Sequence, residues 1–132
     1  MNATTLISVL YLDDEVHNLT AFKASFRRVY NIYTAESAIE ARQILDSTEI
    51  DVIITDQRMP VTTGIEFLKS IIPLYPKPSR ILLTGYTDTN TINDAIEKGY
   101  VQKCILKPWS EDELHAEIEK AINFYSGEKN DL

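Results

Sequence analysis

The chain contains one cysteine, Cys104, so it can form neither an internal disulfide nor a cysteine-based zinc site. Positive charge is also scarce: 13 Lys and Arg stand against 20 Asp and Glu, leaving a net charge of -7. That balance disfavours direct nucleic-acid binding, which relies on clustered Lys and Arg against phosphates, and suits a cation or a basic partner instead. No apolar run approaches membrane-spanning length, and Met1-Asn-Ala-Thr-Thr5 lacks the charged and apolar regions of a signal peptide. A cytoplasmic protein without membrane contact is expected. Repeats and low-complexity tracts are missing, and the proline-rich stretch from Pro73 to Pro78 is too short for an interdomain linker. What remains, 132 residues of which 44% are hydrophobic, fits one globular domain with a sizeable core.

The pattern that is present alternates strand and helix five times. Leu6 to Leu12 is a mostly apolar run that stops at Asp13-Asp14-Glu15. A helical stripe follows at Val16, Leu19, Phe22, Phe26 and Val29. Tyr30 to Thr34 alternates like a half-exposed edge strand, and Ser37 with Glu40 suggests a capping box for a helix through Ala38, Ala41 and Leu45. Val52, Ile53 and Ile54, β-branched throughout, read as a strand buried on both faces that ends at Asp56. Ile65, Leu68 and Ile72 mark a short helix broken by prolines, and Arg80 to Thr84 is the next strand. Ile92, Ala95 and Ile96 predict a helix closing at Gly99; Lys103 to Lys107 is the last strand. Ser110 and Glu113 then open a final helix with Leu114, Ile118, Ala121, Ile122 and Tyr125 on its buried face. The boundaries expected are a domain over residues 1–126 and a polar tail or linker start over 127–132. The fold class predicted is α/β, a doubly wound five-stranded parallel sheet with helices on both faces.

Strand ends in such a sheet lie on one side, where ligands and chemistry gather. Asp13, Asp14, Asp56, Thr84 and Lys107 should therefore converge although far apart in sequence. Each has an ordinary structural reading: acids favour a helix start, Lys107 could be a surface lysine, Thr84 a plain strand residue. All five falling at strand ends in one orientation is harder to assign to chance. Three close carboxylates repel one another unless a cation sits among them, and hard oxygen ligands suit Mg²⁺ or Mn²⁺. A cation beside Asp56 would let a phosphoryl group approach, with Lys107 and Thr84 holding its oxygens and Asp56 as nucleophile.

Asp13-Asp14-Glu15 after the first strand, Asp56 with Met59-Pro60 and Gly64 after the third, Thr84-Gly85 after the fourth and Lys107-Pro108 after the fifth together resemble the receiver domain of a two-component response regulator. The resemblance implies a flavodoxin-like sheet of order 2-1-3-4-5. It implies that Asp56 accepts a phosphoryl group from a sensor histidine kinase or phosphotransfer protein. Asp13, Asp14, Asp56 and the main-chain carbonyl of Arg58 would bind Mg²⁺, Thr84 and Lys107 would contact the phosphoryl group, and Lys107-Pro108 would be cis. It also implies a regulatory domain rather than an enzyme, with an output domain C-terminal to it. Arg58 and Tyr86 occupy positions that border such a site. One residue departs from the family: Cys104 stands where Phe or Tyr is usual.

An aspartyl phosphatase of the haloacid-dehalogenase type would need an Asp-x-Asp arrangement, but Arg58 fills the second position, and no cap domain is expected. A scaffold acting by protein contacts alone would not need the acidic cluster. His17 and His115 read as solvated helix residues, and Trp109 as packing at a helix start.

Overall fold

The computed structural model describes residues 6–85 and 89–130, with side chains described as far as Ile122. Five strands, β1 (Ser8–Leu12), β2 (Asn31–Ala35), β3 (Val52–Asp56), β4 (Ser79–Thr84) and β5 (Lys103–Leu106), alternate with five helices. These are α1 (Val16–Phe26), α2 (Ala38–Ser47), α3 (Gly64–Ile71), α4 (Thr89–Glu97) and α5 (Glu111–Asn130). All strand pairs are parallel, in the order β2-β1-β3-β4-β5. This is the doubly wound arrangement that the strand and helix alternation predicts, in the flavodoxin-like strand order that the receiver resemblance implies.

Alternation along the strands splits the core in two. Val9, Tyr11, Val52, Ile54, Ile81, Leu83 and Ile105 pack against Leu19, Phe22 and Phe26 of α1 and Leu114 and Ile118 of α5. Leu10, Leu12, Ile53 and Leu82 pack on the other side against α2, α3 and Ala95 of α4. Every residue of β3 is buried, as expected of a central strand covered on both faces. Trp109 packs edge-on to Phe22 and tilted to Phe26, both at 6.2 Å, so it does serve as packing at the start of α5.

Several helix details differ from the sequence reading. Val16 and Val29 are exposed: the first opens α1, and the second lies in the turn after α1 has ended at Phe26. The stripe was one turn too long at each end. Ser37 accepts from the Glu40 amide at 3.2 Å, but the Glu40 carboxylate turns back to the Glu36 amide, so the reciprocal half of a capping box is not made. The full box belongs to α3, where the Thr63 hydroxyl accepts from the Glu66 amide at 3.1 Å and the Glu66 carboxylate from the Thr63 amide at 2.9 Å. On α4 only Ala95 is buried; Ile96 is exposed and Ile92 partly so. Gly99 has φ +81, the left-handed helix stop expected of it. The helix backbone of α5 extends to Asn130, and Tyr125 falls among the side chains outside the described set.

Arg80, read in the sequence only as the start of a strand, is 6% exposed. Its guanidinium donates to the carbonyls of Tyr100 (2.9 Å), Gly99 (3.0 Å), Pro78 (3.0 Å) and Pro76 (3.4 Å). The described residues place no carboxylate in ion-pair range of it, and burial lowers its pKa. Backbone carbonyls thus solvate a buried cation and tie the loop before β4 to the turn after α4.

Candidate functional site

Sheet register brings the site together. Leu12 pairs with both Ala35 and Thr55, Asp56 with Leu83, and Thr84 with Leu106. The ladders run one residue further at the carboxyl ends: the Asp13 amide donates to Ala35 at 3.1 Å, Gln57 to Leu83 at 3.0 Å and Lys107 to Thr84 at 2.7 Å. Asp13 and Asp56 therefore stand level, with Thr84 one residue and Lys107 two residues further along the strand direction, all at the carboxyl edge of the sheet. Asp13, Asp56 and Lys107 continue the alternation of the residues facing α1 and α5, whereas Thr84 alternates with Leu82, which faces the other helices. The Thr84 hydroxyl is buried and lies 3.4 Å from the Gly85 carbonyl.

One carboxylate oxygen from each of Asp13, Asp14 and Asp56 lies within 4.8 Å of the other two. Asp13 and Asp56 are 1% and 4% exposed, whereas Asp14 is open to solvent. Asp13 is fixed by three donors: the Tyr11 hydroxyl at 2.7 Å, the Asn18 side-chain amide at 3.0 Å and the Glu15 main-chain amide at 2.9 Å. Tyr11 is buried, and burial together with its bond to Asp13 raises its pKa, so it remains a donor. Tyr11 and Asn18 were not singled out from the sequence. Both could have been: Tyr11 shares the strand face of Asp13, and Asn18 lies in the first turn of the helix that opens just after it.

Asp56 meets Lys107, whose Nζ lies 2.5 Å from Oδ1. The pair is unequal. Burial raises the Asp56 pKa, the Lys107 hydrogen bond opposes this, and the charges of Asp13 and Asp14 add to the rise, so the net shift is upward. Burial alone would lower the Lys107 pKa, but the hydrogen bond to Asp56 and the negative charges of Asp56, Asp13 and Glu15 outweigh it and raise it. One lysine does not compensate three carboxylates, and the cluster keeps an unmet demand for positive charge. Three oxygen ligands this close, one of them solvent-facing, fit a small hard dication that retains part of its water shell.

The loop behind Asp56 is held tightly. The Gly64 amide donates to the Gln57 carbonyl at 3.0 Å, and the Ile65 amide to the Gln57 side chain at 2.9 Å. A Cβ on Gly64 would lie 3.0 Å from Leu82 Cδ1 and closer still to the Asp56 carbonyl oxygen, so only glycine fits there. Arg58 lies in this loop with its side chain exposed; the Lys107-Pro108 bond is cis; Tyr86 lies outside the described residues. Cys104 is half-buried, packed against the core cluster of Leu10, Ile53 and Leu82, and burial raises its pKa. His17 and His115 are both exposed, and His115 Nε2 lies 3.7 Å from Glu119.

Comparison with known proteins agrees with this geometry. The profile of the response regulator receiver domain matches residues 9–119. The hydrogenase transcriptional regulatory protein HoxA of Cupriavidus necator is 36% identical over 115 residues, 87% of this chain and 24% of that protein. The transcriptional regulatory protein ZraR of Escherichia coli K12 is 31% identical over 117 residues, 88% of this chain and 26% of that protein. This chain thus spans about a quarter of those relatives. Among solved structures, the signal receiver domain of an HD domain-containing protein from Pseudomonas fluorescens Pf-5 superposes with a TM-score of 0.88 at 29% identity, covering 100% of this chain and 98% of that one. A response regulator receiver domain protein from Clostridium thermocellum gives 0.85 at 31% identity, covering 92% and 98%. With its fold, its set of strand-end residues and its relatives in agreement, the chain belongs to the receiver-domain family of two-component response regulators, regulatory phosphoacceptor domains rather than classical enzymes.

Proposed function

We propose that Asp56 is the phosphoacceptor of this receiver, taking its phosphoryl group from a phosphohistidine on a sensor histidine kinase or phosphotransfer protein. The observation that carries the proposal is the buried Asp56 carboxylate set between Lys107 on one side and the Asp13 and Asp14 carboxylates on the other. An Asp56 oxygen attacks phosphorus, the phosphorus–nitrogen bond breaks, and the imidazole leaves with the electron pair and picks up a proton. Lys107, now 2.5 Å from Oδ1, turns its hydrogen bond to an oxygen of the incoming group, and the Thr84 hydroxyl supplies a second contact. Asp13, Asp14, Asp56 and the main-chain carbonyl of Arg58 would hold Mg²⁺ or Mn²⁺. That cation, when bound, supplies the positive charge that lets an anionic donor approach three carboxylates. Tyr11 and Asn18 keep Asp13 aimed at the cluster.

In the cell this domain is cytoplasmic, occupies residues 1–126, and hands its state to an output domain that follows residues 127–132. HoxA and ZraR are transcriptional regulators by name, so DNA contact, where it exists, belongs to such an output domain. The test is intact mass after incubation with acetyl phosphate. One phosphoryl adduct is expected with Mg²⁺, and none in excess EDTA or in Asp56→Asn with Mg²⁺. Equal adducts in all three would refute the assignment.

A further inference from the structure

We propose that Val61 sets how tightly this receiver holds its divalent cation, by placing backbone strain on the loop that must stay closed around it. The inference rests on the cation reading above. Val61 has φ +73, the left-handed region that a β-branched residue rarely enters. The Thr62 amide donates to the Pro60 carbonyl at 2.8 Å, so Val61 is the centre of a γ-turn in its rarer, strained positive-φ form. Its side chain is fully exposed, so no packing offsets the strain.

The strain cannot spread along the loop, because both ends are pinned. Gln57 is tied to Leu83 of β4 and to the Gly64 and Ile65 amides; Gly64 presses on the Asp56 carbonyl; Thr63 and Glu66 cap α3. Reversal of the chain within this short loop needs a residue of positive φ, and valine occupies the place. Opening the loop releases that strain and carries the Arg58 carbonyl away from the carboxylates. Only the closed fraction binds, so the apparent dissociation constant is the intrinsic one divided by that fraction. Valine here lowers the closed fraction, whereas Asn or Gly, which accept positive φ, raises it.

The experiment compares wild type with Val61→Asn, Val61→Gly and Val61→Ile. Mg²⁺ binding is measured by isothermal titration with MgCl₂. Hydrogen exchange of the Thr62 and Gly64 amides is followed without Mg²⁺. Asn is expected to lower the dissociation constant by at most about 5-fold, the low end of the left-handed cost expressed as an equilibrium constant, because the closed fraction cannot rise above one. Exchange at both amides should slow by a similar factor. Gly should move both in the same direction, which excludes the Asn amide acting as a new ligand, and Ile, equally β-branched, should match wild type. Mg²⁺ uptake with one dissociation constant in all four proteins would overturn the inference and leave the cation reading standing. Uptake by none of them would overturn both.

Discussion

Gly64→Ala puts the smallest available perturbation directly behind the phosphoacceptor. The added methyl would fall 3.0 Å from Leu82 Cδ1, 3.1 Å from the Asp56 carbonyl carbon and nearer still to its oxygen. The leucine can give way, but the carbonyl cannot move without turning the peptide that carries Asp56. Overpacking of this kind costs about 1–3 kcal/mol, and better helix propensity at the first residue of α3 returns at most about 1 kcal/mol. A net loss of about 1–2 kcal/mol is expected by urea unfolding. Turning the peptide also moves the carboxylate off Lys107, now 2.5 Å away, and misplacement on the order of 1 Å can cost about 10- to 100-fold in rate. Labelling by acetyl phosphate should slow within that range. Gly99→Ala is the matched comparison: open space surrounds Gly99, but its φ of +81 makes alanine cost about 1–2 kcal/mol at the turn after α4, away from Asp56. It should unfold as readily as Gly64→Ala yet label at the wild-type rate. Full stability in Gly64→Ala, or equal loss of labelling in both variants, would refute the reasoning.

Asp56 should destabilise the metal-free protein as pH rises. Its folded pKa is raised, so the native state holds the proton longer than the unfolded chain, and stability falls from about pH 3.9 upward through the folded pKa. Asp56→Asn should remove that fall and be the more stable protein at neutral pH without Mg²⁺; urea midpoints that decline equally in both proteins would exclude it. Arg80→Met removes the donor to four carbonyls while keeping the aliphatic stem, and a loss on the order of 3 kcal/mol is expected, with faster amide exchange in the turn after α4. Unchanged exchange at Tyr100 and Val101 would show that Arg80 does not hold that turn. Cys104→Tyr installs a ring on β5, where the thiol buries much less area, and should enlarge the beryllofluoride-induced amide shifts from Lys103 to Leu106. Large wild-type shifts unaltered by the tyrosine would mean that the cysteine does not weaken the switch.

The sequence made the strands legible because β3 and its neighbours are short, apolar and largely buried, β3 being β-branched along its apolar run, and their ends carry the polar residues. Asp13, Asp14, Asp56 and Lys107 could be placed together from topology alone, since parallel strands align their carboxyl ends. What escaped depended on partners distant in sequence. Arg80 looks like an ordinary strand start until the carbonyls of Gly99 and Tyr100 fold over it. Gln57 caps a helix that begins seven residues later, which no local period encodes. The Thr63 and Glu66 capping box is written in the sequence, but it starts two residues before Ile65, ahead of the apolar stripe that marks the helix. Val61 carried no signal at all, because left-handed backbone is inferred from Gly or Asn and here stands on valine.

Identification of the phosphorylated residue tests the proposed chemistry most directly. The protein is treated with acetyl phosphate and Mg²⁺, reduced with borohydride, digested and sequenced by mass spectrometry. Borohydride converts an aspartyl phosphate to homoserine, and homoserine is expected at position 56 alone. Homoserine at Asp13 or Asp14, or an adduct that survives reduction on a residue other than Asp56, would contradict it.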